Sequence, residues 1–181
     1  MLQKILHCRS CHSPCLIPIL NLGMQPWCND FRSEPDTNIK KYPLELVYCS
    51  QCGMLQLNYT VPKETMFSKH VYLSGTTKTL ANHFMTIAQE NANDLDLNDL
   101  IVDIGGNDGT QLLQYKKLGF TNVLNVESAH NIAEISKRIG VPVWNEFFNE
   151  DFVDKCLTGC KAKLILAAGV FFHLEELHSV I

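Results

Sequence analysis

Two cysteine pairs carry the clearest chemical signal in the chain. Cys8 and Cys11 are separated by two residues, and so are Cys49 and Cys52. A two-residue spacing within a tight turn lets both thiolates reach one Zn²⁺, and two such turns supply four ligands. Four protein ligands close a tetrahedral site and leave no position for water or substrate. The spacing therefore predicts a structural zinc ion.

Other side chains near the two pairs offer alternative ligands. Cys15 and Cys28 lie between the pairs, and His7 and His12 flank the first pair. Another cysteine or a histidine can take the place of one of the four paired cysteines as a zinc ligand. One CxxC pair at each end is nevertheless the simpler four-ligand set, and nothing in the spacing requires a substitute.

A glycine-rich turn marks a second candidate site. The sequence "LIVDIGGNDGT" reads as a buried strand that runs into Gly105, Gly106 and Gly109. In an open α/β sheet, ligands bind at the carboxyl ends of the strands, and glycines let the backbone approach them closely. The GGxxG spacing differs from a GxGxxG dinucleotide fingerprint. Asp108 inside the turn would repel a pyrophosphate but suits a cationic ligand such as S-adenosylmethionine.

A carboxylate lies at the matching place in the next strand. Glu127 ends the strand predicted for "NVLNVES", about 20 residues after the turn, where a carboxylate pairs with ribose hydroxyls. The glycine turn alone could be purely structural, since glycine also serves tight turns. Together with Glu127 it favours a nucleoside-containing cofactor.

The elements that must position these residues differ between the two ends of the chain. Up to about residue 67 the sequence predicts short strands and turns, and prolines argue against long helices. Such a segment has little apolar material for a core, so a metal would supply folding free energy. From residue 74 onwards strands alternate with helices, the third helix falling at 146–154. This alternation predicts a doubly wound parallel sheet.

Composition narrows the classes of function. The net charge of −4 argues against nucleic acid as the main partner. No run of 18 apolar residues is present, so no membrane span is expected. The N-terminus is too short before Cys8 for a signal-peptide core. Eight cysteines without such a signal predict a reducing, cytoplasmic location.

With these motifs in place, the chain resembles the zinc-containing sugar C-methyltransferases, which act on nucleotide-linked deoxyketosugars. The Gly-x-Gln-Pro element at Gly23, Gln25 and Pro26 lies between the cysteine pairs and makes the match specific. The resemblance covers nearly the whole chain and rests on these segments, in this order: "CRSCHSP", "LNLGMQPWCNDF", "YPLELVYCSQCGMLQL", "VYLSGTT", "VDIGGNDGT", "NVESAHNIAE" and "NEFF".

The resemblance implies an α/β chain with a zinc-binding domain at residues 1–67 and a partial class I methyltransferase sheet, Rossmann-like, at 68–181. The zinc ligands would be Cys8, Cys11, Cys49 and Cys52. The residues that would contact S-adenosylmethionine are Tyr72, Ser74, Asp103, Gly105, Asn107, Asp108, Gly109, Glu127, Asn145 and Phe147. Among them Glu127 would bind the ribose, and Asn145 and Phe147 would lie beside the adenine. Tyr72 and Phe147 could instead be buried aromatics of the core.

The implied reaction is carbon methylation of a nucleotide-linked ketosugar. A base removes the proton beside a keto group, and the resulting enolate attacks the methyl group of S-adenosylmethionine. His173, just after the fourth predicted strand, matches a histidine near the family's active site. A lone histidine at that place could also be structural.

The sequence after the fourth predicted strand bears on whether this chain is a whole enzyme, part of one, or a binding module. The family has further strands and a C-terminal domain, so we expect a fragment or one half of a split enzyme, whose partner chain carries the rest. The alternative is a non-catalytic module that binds zinc and S-adenosylmethionine. A nucleic-acid-binding zinc ribbon is disfavoured by scattered basic residues, and a dinucleotide-dependent oxidoreductase by the GGNDG turn.

Overall fold

The computed structural model describes residues 3–29, 31, 33–35, 38–174 and 177–181. Within these ranges the chain forms two compact units. The first contains the residues up to 66, together with 177–179 and 181, and the second contains 67–174 and 180.

The first unit is built from two small antiparallel sheets. A two-stranded sheet pairs β1 with β5, and a three-stranded sheet has the order β2-β3-β4. The bounds of its elements are β1 Gln3–Lys4, β2 Leu16–Pro26, β3 Lys41–Cys49, β4 Leu55–Leu57 and β5 Tyr59–Thr60, followed by helix α1 Lys63–Phe67 at the boundary between the units. Helices are otherwise absent from residues 3–66 as described, as the prolines predicted.

Strand β2 is longer than the sequence predicts. The prolines and Gly23 indicated several short strands and turns, but 11 residues form one strand opposite β3. The pairing of β2 with β3 shifts register between Pro18 and Leu20 and again between Asn21 and Met24, so the strand continues past these residues. Because β2 is an edge strand, its prolines remove no hydrogen bond from a second neighbour.

The first unit has a very small core. Its buried hydrophobic residues, among those described, are Cys8, Tyr42, Val47 and Cys49. Two of these four are predicted zinc ligands. The structure therefore confirms that this segment buries little apolar surface, and a metal would supply much of its folding free energy.

The second unit contains a four-stranded parallel sheet with the order β8-β7-β6-β9. Its strands are β6 Ile101–Ile104, β7 Val123–Val126, β8 Val143–Trp144 and β9 Leu164–Leu166. The helices are α2 Lys78–Asn91, α3 Thr110–Lys117, α4 His130–Arg138, α5 Glu150–Cys156 and, spanning both units, α6 Leu177–Val180, with 3₁₀ turns at Ser74–Thr76, Ala92–Asp94 and Phe171–His173. The predicted alternation of strands and helices with a parallel sheet is thus confirmed.

Apolar residues cover both faces of this sheet. Ile101 packs with Leu112 and Tyr115 of α3 on one face, and Val102 packs with Phe152 of α5 on the other. Alternate residues of one strand point to opposite faces, so a strand covered on both sides is apolar throughout. This arrangement brings the carboxyl ends of β6 and β7 side by side.

The third predicted helix is displaced along the chain. The prediction placed it at 146–154, whereas α5 runs from Glu150 to Cys156. The Asn149 side chain accepts a hydrogen bond from the Phe152 N–H at 2.9 Å and so fixes the start of the helix. Within the described ranges, no helix is both long and apolar enough to span a membrane.

Candidate functional site

The four cysteine sulfurs of the first unit lie together. Cys8 Sγ is 3.5 Å from Cys52 Sγ, and Cys11 Sγ is 3.7 Å from Cys49 Sγ. All four sulfurs fall within 4.8 Å of one another. A tetrahedron with Zn–S bonds of about 2.3 Å has S···S edges of about 3.8 Å. The cluster therefore fits a tetrahedral zinc ion.

Two similar turns present these sulfurs. In the first, the His12 N–H donates to the Cys8 carbonyl at 2.9 Å, and in the second, the Gly53 N–H donates to the Cys49 carbonyl at 2.9 Å. The residue after each pair has a left-handed backbone, with φ of 59° at His12 and 81° at Gly53. Glycine adopts this conformation without strain, so Gly53 is a local sequence signal for the second turn.

The thiols of the cluster strongly affect one another. Burial raises the pKa of the Cys8 thiol, but backbone hydrogen bonds from Cys11 and Ser10 outweigh it and lower the pKa to about 7. A backbone hydrogen bond from Ser13 lowers the pKa of Cys11, whereas burial and the other three sulfurs raise it to about 12. Four thiolates so close together need a cation between them, which a divalent metal provides.

The alternative ligands considered from the sequence lie outside the cluster. Among the described residues, the one group of cysteine, histidine and acidic side chains able to hold a metal is the set of four cysteines. Cys15 and Cys28 are exposed, and neither His7 nor His12 joins the group. The simpler ligand set is therefore the one that the structure brings together.

The glycine turn follows β6 and has an unusual backbone. Gly105, Asn107 and Gly109 all have positive φ, at 61°, 53° and 80°. Gly106 does not, but a Cβ there would lie 2.7 Å from Asn125 Oδ1 and from the Asp103 carboxyl group. The turn thus sits directly on two buried polar side chains, and glycine is needed at 106 for space.

Replacing Gly106 with alanine should destabilise the second unit by about 3 kcal/mol, because two buried polar groups must shift. Hydrogen exchange of residues 101–104 under increasing denaturant would measure the change. Gly159→Ala is the matched control, since its Cβ meets open space and only its φ of 80° is strained. Equal effects of the two substitutions would contradict the steric argument.

Asp108 is held by internal donors. Its Oδ1 accepts hydrogen bonds from the Thr110 N–H at 3.1 Å and the Thr110 hydroxyl at 2.6 Å, and its Oδ2 accepts from the Gly75 N–H at 2.8 Å. The side chain is buried. Asp108 therefore joins the start of α3 to the 3₁₀ turn at Ser74–Thr76.

Glu127 follows β7 and reaches the glycine turn. Its Oε2 accepts a hydrogen bond from the Asn107 N–H at 2.9 Å, and its Oε1 accepts from the Ala129 N–H at 2.7 Å. Burial raises the pKa of this carboxyl group, although the two backbone donors act in the opposite direction. The carboxylate and the turn, predicted separately from the sequence, are thus in direct contact.

Asp103 lies beneath the turn. Its side chain is 0% exposed, and neither carboxyl oxygen has a hydrogen-bond partner among the described residues. Burial raises the pKa of Asp103 to about 7, and the negative charge of Glu127 adds to the effect. The sequence grouped Asp103 with the ligand contacts; the structure places its carboxyl group against the strand neighbour Asn125, closed off from solvent.

Asn125 is a residue that sequence reasoning missed. It is fully buried, and its Nδ2 donates to the Asn107 carbonyl at 2.8 Å and to the Ser136 hydroxyl at 3.1 Å. A polar residue inside the apolar run "NVLNVES" was the available signal. Asn125 supports the left-handed backbone of Asn107 from below.

The two predicted residues of the linker meet the turn through their backbones. The Ser74 N–H donates to Asn107 Oδ1 at 2.9 Å, and the Tyr72 carbonyl accepts from Asn107 Nδ2 at 3.1 Å. Tyr72 is 51% exposed, so it is not a core aromatic.

The two residues predicted beside an adenine lie after β8. Asn145 Nδ2 donates to the Glu127 carbonyl at 2.7 Å and to the Ser128 carbonyl at 3.0 Å. Asn145 is exposed and Phe147 is half-buried. Asn145 therefore belongs to the same edge of the sheet as Glu127.

His173 ends the 3₁₀ turn at Phe171–His173, which follows β9. Its ring centroid lies 5.8 Å from that of Phe67 and 4.3 Å from that of Phe172. Burial lowers the pKa of His173, and the nearby charge of His70 lowers it further. These causes favour the neutral imidazole.

Comparison with known families identifies the first of these sites. Residues 8–67 match the family model Methyltransf_13, whose description reads "Putative zinc binding domain". This segment contains all four clustered cysteines. The match covers about a third of the chain and, with the four-cysteine cluster, supports zinc binding by this segment. A search of curated proteins finds no match to the chain.

Proposed function

We propose that this chain binds S-adenosylmethionine at the glycine turn and belongs to a C-methyltransferase that acts on a nucleotide-linked ketosugar. One observation carries the proposal. The Asn107 N–H donates to Glu127 Oε2 at 2.9 Å, which joins the turn after β6 to the carboxylate after β7. A glycine turn beside a carboxylate on the next parallel strand suits a ligand with a ribose.

The residues around the turn fit the parts of this cofactor. Glu127 would accept hydrogen bonds from ribose hydroxyls, since each carboxylate oxygen has a second lone pair beyond the one its backbone donor uses. Asn145 and Phe147 would lie beside the adenine. Tyr72 and Ser74 would approach from the linker. When bound, S-adenosylmethionine supplies an electrophilic methyl group.

His173 is the proposed base. A neutral imidazole can accept the proton from the carbon next to a keto group, and the electrons of that C–H bond then form the enolate. The lowered pKa of His173, caused by burial and by the nearby His70 charge, keeps the ring unprotonated. The enolate carbon would take the methyl group as its bond to sulfur breaks, with S-adenosylhomocysteine as the leaving group.

A second chain is the proposed partner. Strand β9 lies at the edge of the parallel sheet, and Ile165 within it is 56% exposed. Further strands supplied by another chain would cover this edge and bury that side chain. Such a chain would also bring the remainder of the sugar site.

Calorimetry on the zinc-loaded chain tests the cofactor. We expect S-adenosylmethionine to bind, and Glu127→Gln to weaken binding about tenfold or more, because charged hydrogen bonds to the ribose are lost. Glu90→Gln, at an exposed position of α2, is the matched control and should bind normally. Absence of binding by the folded wild-type chain would refute the proposal.

A methyl-transfer assay then separates the enzyme from a binding module. Transfer to a nucleotide-linked ketosugar that is lost in His173→Ala would support the enzyme. Binding without transfer, alone or with the partner chain, would instead assign a non-catalytic zinc- and S-adenosylmethionine-binding module.

A further inference from the structure

The segment 67–76, here called the strap, lies across the loops that follow β6 and β7. None of its ten residues is buried. Its backbone is held instead by hydrogen bonds to side chains of those two loops and to residues at the start of α4. A segment with no buried side chains opens more easily than the core strands beneath it.

Asn107 holds one end of the strap at two points. Its Oδ1 accepts from the Ser74 N–H at 2.9 Å, and its Nδ2 donates to the Tyr72 carbonyl at 3.1 Å. The Gly75 N–H adds a bond to Asp108 Oδ2 at 2.8 Å. One planar amide thus pairs with the strap as a neighbouring strand would.

Asn131 holds the other end in the same manner. Its Oδ1 accepts from the His70 N–H at 3.1 Å, and its Nδ2 donates to the His70 carbonyl at 2.6 Å. The His130 N–H donates to the Ser68 carbonyl at 3.2 Å, and the Ser128 hydroxyl donates to the Phe67 carbonyl at 3.1 Å. Two asparagines, one in the turn after β6 and one in the first turn of α4, therefore each make two hydrogen bonds to the backbone of one segment.

We propose that Asn107 and Asn131 are the two latches of a movable cover, the strap, over the glycine-turn site. These side-chain contacts can open without disrupting any strand pairing. Between the latches, Val71 and Tyr72 are 60% and 51% exposed, which gives the cover apolar side chains to place on a ligand.

Asn107 also couples the cover to the site. Its side chain holds the strap, while its N–H donates to Glu127 Oε2 and its carbonyl accepts from Asn125 Nδ2. A ligand that engages Glu127 therefore acts on the residue that holds the strap. This coupling rests on the proposed function for the identity of the ligand, whereas the latches themselves do not.

Hydrogen exchange of the zinc-loaded full chain tests the latches. In Asn131→Ala and Asn107→Gly, amides of 67–76 should exchange about tenfold faster, because two hydrogen bonds are lost in each. Asn107→Gly keeps a residue that adopts the positive φ of this position without strain. Asn93→Ala, at an exposed residue outside the strap, is the control. Residues 123–126 should remain protected in every variant.

The outcomes separate this inference from the proposed function. If the exchange rates of the strap are unchanged in both latch variants, the assignment of Asn107 and Asn131 as latches is wrong, whether or not S-adenosylmethionine binds. Faster exchange in the variants, with no S-adenosylmethionine binding to the wild type, would support the latches and refute the cofactor. Binding that leaves strap exchange unchanged would overturn the role of the strap as a cover. We expect binding to slow strap exchange in the wild type.

Discussion

Cys49→Ser is expected to lower the zinc content from about one ion per chain to near zero. Cys49 is 0% exposed and belongs to both the metal cluster and the small core of the first unit. Structural zinc sites of this kind supply about 10–16 kcal/mol of folding free energy, far more than the few buried apolar side chains here can replace. The two sheets of the first unit should therefore unfold.

Elemental analysis and hydrogen exchange would measure the two effects of Cys49→Ser together. Cys15→Ser is the matched control, because Cys15 is an exposed cysteine of the same segment outside the cluster. It should retain the metal and the protection of β3. A Cys49→Ser protein that keeps both its zinc and its fold would exclude the four-cysteine site.

Asp103→Asn should remove most of the pH dependence of stability in the second unit. The pKa of Asp103 is raised by burial to about 7 in the folded chain, above its ordinary value of 3.8. The folded state therefore holds a proton that the unfolded state has released between those values. The stabilisation is complete below about pH 4 and is lost as the pH rises towards 7, on the order of 4 kcal/mol in all.

The measurement compares wild type and variant between pH 5.5 and 7, by denaturant-dependent exchange of residues 101–104. The free energy of unfolding of wild type should fall relative to Asp103→Asn by about 1 kcal/mol per pH unit, because folded Asp103 is already half deprotonated at the upper end of this range. Burial also raises the pKa of Glu127, and the variant retains that contribution. Asp94→Asn, at an exposed carboxylate, is the control for the effect of the substitution itself. A difference that does not vary with pH would contradict a protonated Asp103.

The asparagine should also supply a neutral donor at this buried position, where the charged carboxylate has none. Asn125 Nδ2 already donates to two oxygens, so its Oδ1 is the atom left facing Asp103. Two acceptors cannot pair with each other, but a carboxylic acid O–H or an amide N–H can donate to Oδ1. The variant should consequently be more stable than wild type at pH 8.

The sequence was most informative where the chemistry is local. The zinc ligands follow from two CxxC pairs, because each pair lies in one tight turn and needs no knowledge of distant contacts. The parallel sheet follows from the alternation of strands and helices. The ends of individual helices and strands were predicted less accurately. Helix α5 begins later than predicted, at its Asn149 cap. Strand β2 continues through Pro18 and Gly23, because an edge strand tolerates both residues.

The glycine turn and Glu127 could be identified from the sequence, but not their contact. Residues 20 apart meet through the Asn107 N–H only because β6 and β7 lie side by side in the sheet. For Asp103, the sequence motif and the structure point in different directions. Its position in the motif suggested a ligand contact, whereas the pleat of β6 directs its side chain beneath the turn, against Asn125.

By itself, then, the sequence determined the metal ligands, the class of fold and the residues of the turn, since spacing and periodicity are properties of neighbouring residues. The tertiary structure alone decided which polar groups are buried without partners and which side chains hold the strap. Asn131 and His70 are 61 residues apart, and nothing in either neighbourhood predicts their two hydrogen bonds. Such contacts depend on how the sheet brings separate loops to one edge.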